Sequence, residues 1–153
     1  MSIRPRFADL LFAGLKTVEL RRRPLALRSG DKVYVYASSP IMAVRGSFVV
    51  SAVVRMPLRD LWAQFGTRAQ VTRLEFDKYF AGLKEGIAIE IGAVAAEPEI
   101  SLAALRIAWP GFHPPQTLRY LTEAPTVARA SATRPASSGK RAGAVKGRGP
   151  RVA

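Results

Sequence analysis

The sequence predicts an α+β fold, a small and mostly antiparallel β-barrel decorated by helices and followed by a disordered basic tail. Three observations carry this. Apolar residues alternate with period two in several short segments and recur with helical spacing in others. The resulting order, β-α-β-β-β-α-α-β-α-β, is not the regular βαβ alternation of a parallel sheet. After Glu123 the composition turns to Ala, Ser, Thr, Gly, Pro and Arg/Lys with no aromatic residue. Such a segment buries too little apolar surface to offset its ordering entropy. Residues 2–123 are therefore expected to form one domain, and 124–153 a disordered tail.

Ser2–Ile3 opens with a short strand. Pro5 suits the first turn of a helix, and Phe7, Leu10 and Leu11 follow helical spacing up to Gly14, a good terminator. Thr17–Arg21 alternates polar and apolar residues, so Val18 and Leu20 should face the core and Thr17, Glu19 and Arg21 the other side. Gly30-Asp31 marks a turn before a β-branched and aromatic strand, Lys32–Ala37. Ala43–Arg55 reads as a long strand with Gly46 a bulge or bend. Pro57–Phe65 and Thr72–Phe80 read as helices, the second opened by a Thr72/Glu75 capping box and closed by Gly82. On the first, Trp62 and Phe65 have core spacing. Glu85–Ile91 returns to a strand with Ile87, Ile89 and Ile91 on one face. Ser101–Ile107 is a short helix capped by Ser101. Trp109 and Phe112 are expected to pack on the barrel. Pro110, Pro114 and Pro115 force irregular chain before a last strand, Thr117–Leu121.

Composition narrows the chemistry. With no cysteine, neither a disulfide nor a thiolate metal site can form, and the single His113 excludes a histidine-rich metal centre and argues against a His-based triad. No metal or cofactor is expected. No apolar run approaches the roughly 18–20 residues that cross a bilayer, and no signal peptide is visible, so the expected location is cytoplasmic. The formal net charge is +13. Seven of the 24 Lys/Arg and none of the Asp/Glu follow Glu123, which leaves +6 on residues 1–123. A positive field of that size favours polyanions, with nucleic acid the usual one and membrane the weaker alternative.

The sharpest local signal is Gly14-Leu15-Lys16-Thr17-Val18-Glu19-Leu20-Arg21, a G-x-K-x-x-E-x-R pattern. Lys16 sits at the turn into a strand from whose face Glu19 and Arg21 project. The two cations can bind phosphate or a base edge, and Glu19 can orient them or accept from an exocyclic amine. From spacing alone, a solvated charged strand face is the simpler account.

The segment Ile3-Arg4-Pro5-Arg6-Phe7-Ala8 through Arg23, with that pattern inside it, resembles the start of an ASCH domain, a branch of the PUA-like superfamily. The resemblance continues through Val35–Pro40, Phe76–Phe80 and Pro114–Leu121, and is closest to bacterial and archaeal members described as predicted transcriptional regulators. It implies a PUA-like barrel whose cleft holds RNA, another nucleic acid or a modified nucleotide. That cleft would include Lys16, Glu19, Arg21 and Arg23, with Ser38 and Ser39 on a neighbouring loop and Gln116, Arg119 and Tyr120 closing the other side. The implied function is a nucleic-acid-binding module, with regulation as one use. The alternative is a small hydrolase acting on a modified nucleoside or on RNA, in which Lys16 and Glu19 would do acid–base work. One amidohydrolase branch, acting on acylated cytidine, uses a Lys and a Thr in this segment. Lys16 matches the Lys, but Glu19 stands where that branch has its Thr, which favours binding over hydrolysis. Another branch is described as ribonuclease.

Overall fold

A computed structural model describes residues 1–116, 118–121 and 125 of the chain. The elements run β1 (Ser2–Ile3), α1 (Pro5–Phe12), β2 (Val18–Arg21), β3 (Lys32–Ala37), β4 (Ala43–Pro57), α2 (Leu58–Phe65), α3 (Arg73–Tyr79), β5 (Glu85–Ser101) and α4 (Leu102–Ala108). The strands form one sheet in the order β1-β3-β4-β5-β2. Only β1 with β3 is parallel; the other neighbours are antiparallel. The α+β class and the antiparallel bias follow the sequence, but the barrel does not close. β1 and β2 occupy the two edges, and no ladder joins them among the described residues. A side chain bridges the gap instead, with Arg21 Nη2 donating to the Ser2 carbonyl at 2.9 Å.

Three apolar clusters hold the sheet and its helices. Leu11 and Ala8 of α1 pack on Val33, Val35, Phe48 and Ile89 of the sheet. Val18 and Leu20 of β2 join Leu61 and Phe65 of α2 and Phe76 of α3, with Trp62 at the margin. Phe112 and Leu105 of α4 cover Tyr36 and Ile100, with Trp109 packed against them. The Thr72 capping box forms as expected: the Thr72 hydroxyl accepts from Glu75 N, and the Glu75 carboxylate accepts from Thr72 N. Ser101 caps α4 through Ala104 N.

Two expectations are corrected. β5 runs ten residues beyond Ile91, since continuous pairing with β4, not apolar alternation, carries it to Ser101. The last strand does not form among residues 118–121: Leu118 packs on the first cluster and Tyr120 Oη donates to the Ala26 carbonyl, so the segment is held by side chains. Thr117 and the tail from 124, except Pro125, lie outside the described residues.

Gly46 marks the bulge, with a register shift between Val44 and Gly46 and a φ of +149°. A Cβ there would press into the Ala95 carbonyl and come within 2.7 Å of Phe12 Cε1. Gly46→Ala should cost more than about 2 kcal/mol, from backbone strain and overpacking together. Chemical denaturation checks this, and a loss below half that value would show that the bulge relaxes.

Candidate nucleic-acid interface

The open seam between β1 and β2 is the mouth of the larger of the two best-formed cavities, about 1020 Å³. Its floor is delivered by a short run of chain. α1 ends after Phe12, and Gly14, at φ +74°, lets the backbone reverse so that Leu15 N and Lys16 N both donate to the Leu10 carbonyl. This fixes Lys16 at the entry to β2. β2 pairs along β5, so Glu19 and Arg21 fall on the face opposite Val18 and Leu20.

That face is not the solvated surface its alternation suggests. Lys16, Glu19 and Arg21 are 2%, 8% and 6% exposed. Glu19 is shared between the cations: its Oε2 lies 3.2 Å from Lys16 Nζ and its Oε1 2.9 Å from Arg21 Nη2. Lys16 Nζ also donates to the Ala69 carbonyl at 2.7 Å and sits 4.9 Å from the Phe7 ring centroid. Burial pulls the Lys16 pKa below its ordinary value, while the Glu19 carboxylate holds it up. The Met1 ammonium, packed near the same group, is pushed down to about 5, chiefly by burial and further by Arg21. Arg21 Nε is buried with no hydrogen-bond partner. Leaving such a donor unpaired costs about 1–3 kcal/mol.

Of the residues expected in the cleft, Lys16, Glu19, Arg21, Arg23, Ser38 and Gln116 line this cavity. Ser39 is exposed and does not. Arg119 and Tyr120 are also elsewhere: they line a second, smaller cavity of about 380 Å³ beside Lys32 and Tyr34, because Tyr120 is tied to Ala26. The sequence did not point to Arg4, Phe7, Lys78 or Tyr79, all of which line the seam cavity. Helical periodicity places Lys78 and Tyr79 on α3 but carries no signal that α3 docks beside β2. Arg22 lines it too, with Nη2 donating to the Ala81 carbonyl at 3.2 Å.

Away from the cavity Arg6, Arg45, Arg55, Arg59, Arg68, Arg73 and Lys32 each meet a carboxylate, whereas Arg28, Lys84, Arg106 and Arg119 meet none among the described residues. At the cavity, Arg4, Arg23 and Lys78 meet none among the described residues. No three His, Cys, Asp or Glu side chains gather into a metal-binding group among the described residues. No helix among them is long and apolar enough to cross a membrane.

Comparison with known proteins finds relatives in sequence and in fold. The ASCH domain family profile matches residues 1–101. A Zymomonas mobilis protein named ASCH domain-containing ribonuclease is 32% identical over 127 residues, covering 82% of this chain and 85% of that protein. The crystal structure of ASCH from Zymomonas mobilis superposes with a TM-score of 0.76 at 30% identity, over 79% of this chain and 85% of that one. A serine-to-alanine variant of the same protein gives the same TM-score and identity. The profile match and the length of shared sequence establish that the chain belongs to the ASCH domain family.

Proposed function

We propose that this protein binds single-stranded RNA in the seam cavity. The observation that carries the reading is the grouping of cations: Arg4, Arg22, Arg23 and Lys78 line one cavity, and none of them meets a carboxylate among the described residues. Uncompensated cations around a concave site attract phosphates, and the exposed Tyr79 ring at its wall gives a base something to stack on. The relative named a ribonuclease supports RNA as the polyanion. We infer the cytoplasm as its place of work. A regulatory role, as for the predicted transcriptional regulators of the family, and a modified nucleotide as ligand are finer versions of the same reading.

Cleavage of the bound RNA is the second reading, favoured by the buried Lys16. Burial lowers the Lys16 pKa, which enlarges the share of neutral amine at a given pH. Its neutral amine would accept the 2′-hydroxyl proton as that oxygen bonds to phosphorus. The bond from phosphorus to the 5′ oxygen breaks, and the same lysine returns the proton to the leaving oxygen. Glu19 in place of a hydroxyl residue argues against amide hydrolysis in this position.

One experiment separates these. Labelled single-stranded RNA is incubated with the wild-type chain and with Lys16→Ala, and both bound and shortened RNA are measured. Binding without shortening supports the binding module. Shortening that yields cyclic phosphate ends and is lost in a folded Lys16→Ala variant supports the ribonuclease. Absence of any binding by the wild-type chain overturns both.

A further inference from the structure

The floor of the seam cavity carries a hydrogen-bonding pattern that selects among bases, an inference that rests on RNA being the ligand. Among the described residues Arg21 Nε is the buried side-chain atom with no hydrogen-bond partner, and it belongs to a residue that lines the cavity. Orphans of this kind are rare in folded proteins, and a bound acceptor is one thing that completes them. Beside it, the two Glu19 oxygens each take one cation, Lys16 on Oε2 and Arg21 on Oε1. A carboxylate oxygen accepts two hydrogen bonds, so each retains one vacancy. Glu19 therefore keeps two acceptor positions, and the Arg21 side chain paired with it keeps one unpaired donor.

We propose that this floor holds an unpaired guanine, with N1–H and N2–H donating to the Glu19 oxygens and O6 accepting from Arg21 Nε. Guanine is the base whose Watson–Crick edge presents two neighbouring donors beside a carbonyl. Uracil has one donor between two acceptors, so one acceptor would face the carboxylate. Adenine and cytosine each present one amino group beside a ring nitrogen and leave one Glu19 position unfilled. A phosphate does not suit the floor, where it would meet Glu19; the cations without carboxylates are its place. Arg21 Nε is closed to solvent, so the base must displace a wall side chain to reach it.

The test uses the full wild-type chain and eight-nucleotide oligoadenosines with a central guanosine, inosine, adenosine, uridine, cytidine or abasic residue. All carry 2′-fluoro sugars, so that cleavage cannot intervene. The guanosine oligonucleotide should bind about tenfold more tightly than the adenosine, uridine or cytidine ones. Inosine, which lacks the 2-amino group, should fall between, and the Arg21 Nε–H NMR resonance should shift with the guanosine and inosine oligonucleotides, which share O6, and not with the adenosine, cytidine or abasic ones. Equal affinities across the series, or an abasic oligonucleotide as tight as the guanosine one, would overturn the guanine assignment and leave RNA binding standing. Failure of every oligonucleotide and of longer unmodified RNA to bind would remove the RNA reading as well.

Discussion

Glu19→Ala is expected to lower the folding stability of the domain by about 3–5 kcal/mol. Glu19 is the carboxylate that both buried cations share, at 3.2 Å from Lys16 and 2.9 Å from Arg21. Its removal leaves two positive charges inside the protein with carbonyl partners, Ala69 for Lys16 and Ser2 for Arg21, but no counter-ion. The same residue bridges the open edge of the sheet, since Arg21 reaches Ser2 while held by Glu19. Asp60→Ala, which breaks an exposed pair with Arg59, should by contrast change stability by less than about 1 kcal/mol. Urea unfolding of the two variants beside the wild type decides the matter. A loss below about 1 kcal/mol for Glu19→Ala would mean that the cluster is solvated in solution.

The pH dependence of that loss follows from Lys16. Its pKa in the folded protein lies below 10.5, chiefly through burial and against the pull of Glu19. Between the folded and unfolded values the unfolded chain binds more protons, so this group makes stability rise with pH in that window. Removing Glu19 lowers the folded value further and widens the window downward. The deficit of Glu19→Ala should therefore be greatest at lower pH and shrink as pH rises toward 10.5.

Much of this was legible in the sequence because local rules and tertiary structure agree. Pro5, Gly14, the Thr72/Glu75 box and Ser101 each act within a turn of helix, and each forms where the sequence places it. The seam is harder to read. Strand alternation placed Glu19 and Arg21 on one face, and that is correct, but alternation cannot say whether a face meets water or the inside of a half-closed sheet. Burial of that face depends on Ala69 and α3 arriving from distant sequence and on β1 folding back beside β2. Arg119 and Tyr120 were expected in the cleft from the resemblance alone: a residue after three prolines has no periodicity to fix its direction, and one hydrogen bond from Tyr120 to Ala26 turns the segment to a second cavity. The far half of β5 escaped because residues 92–99 are small, acidic or proline and carry no apolar period.

Combined replacement of Arg4, Arg23 and Lys78 by alanine should weaken binding of single-stranded RNA by at least about tenfold at low salt, and reduce the steepness of its salt dependence by about 2 logarithmic units per decade. The estimate treats each cation as displacing about 0.7 of a counterion from a single strand. Lost net charge alone would weaken binding somewhat, because the chain carries +13 overall and its basic residues after Glu123 act on any polyanion. A matched variant isolates location from quantity. Replacing Arg55, Arg59 and Arg73 removes the same three charges from sites where each faces Glu85, Asp60 or Asp77. If the seam cavity is the RNA site, this second variant keeps most of the affinity and most of the salt dependence while the first loses both. Equal losses would mean that the protein attracts RNA through its overall field. Lys16, Glu19 and Arg21 would then be a buried brace across the sheet edge and not the floor of a binding site.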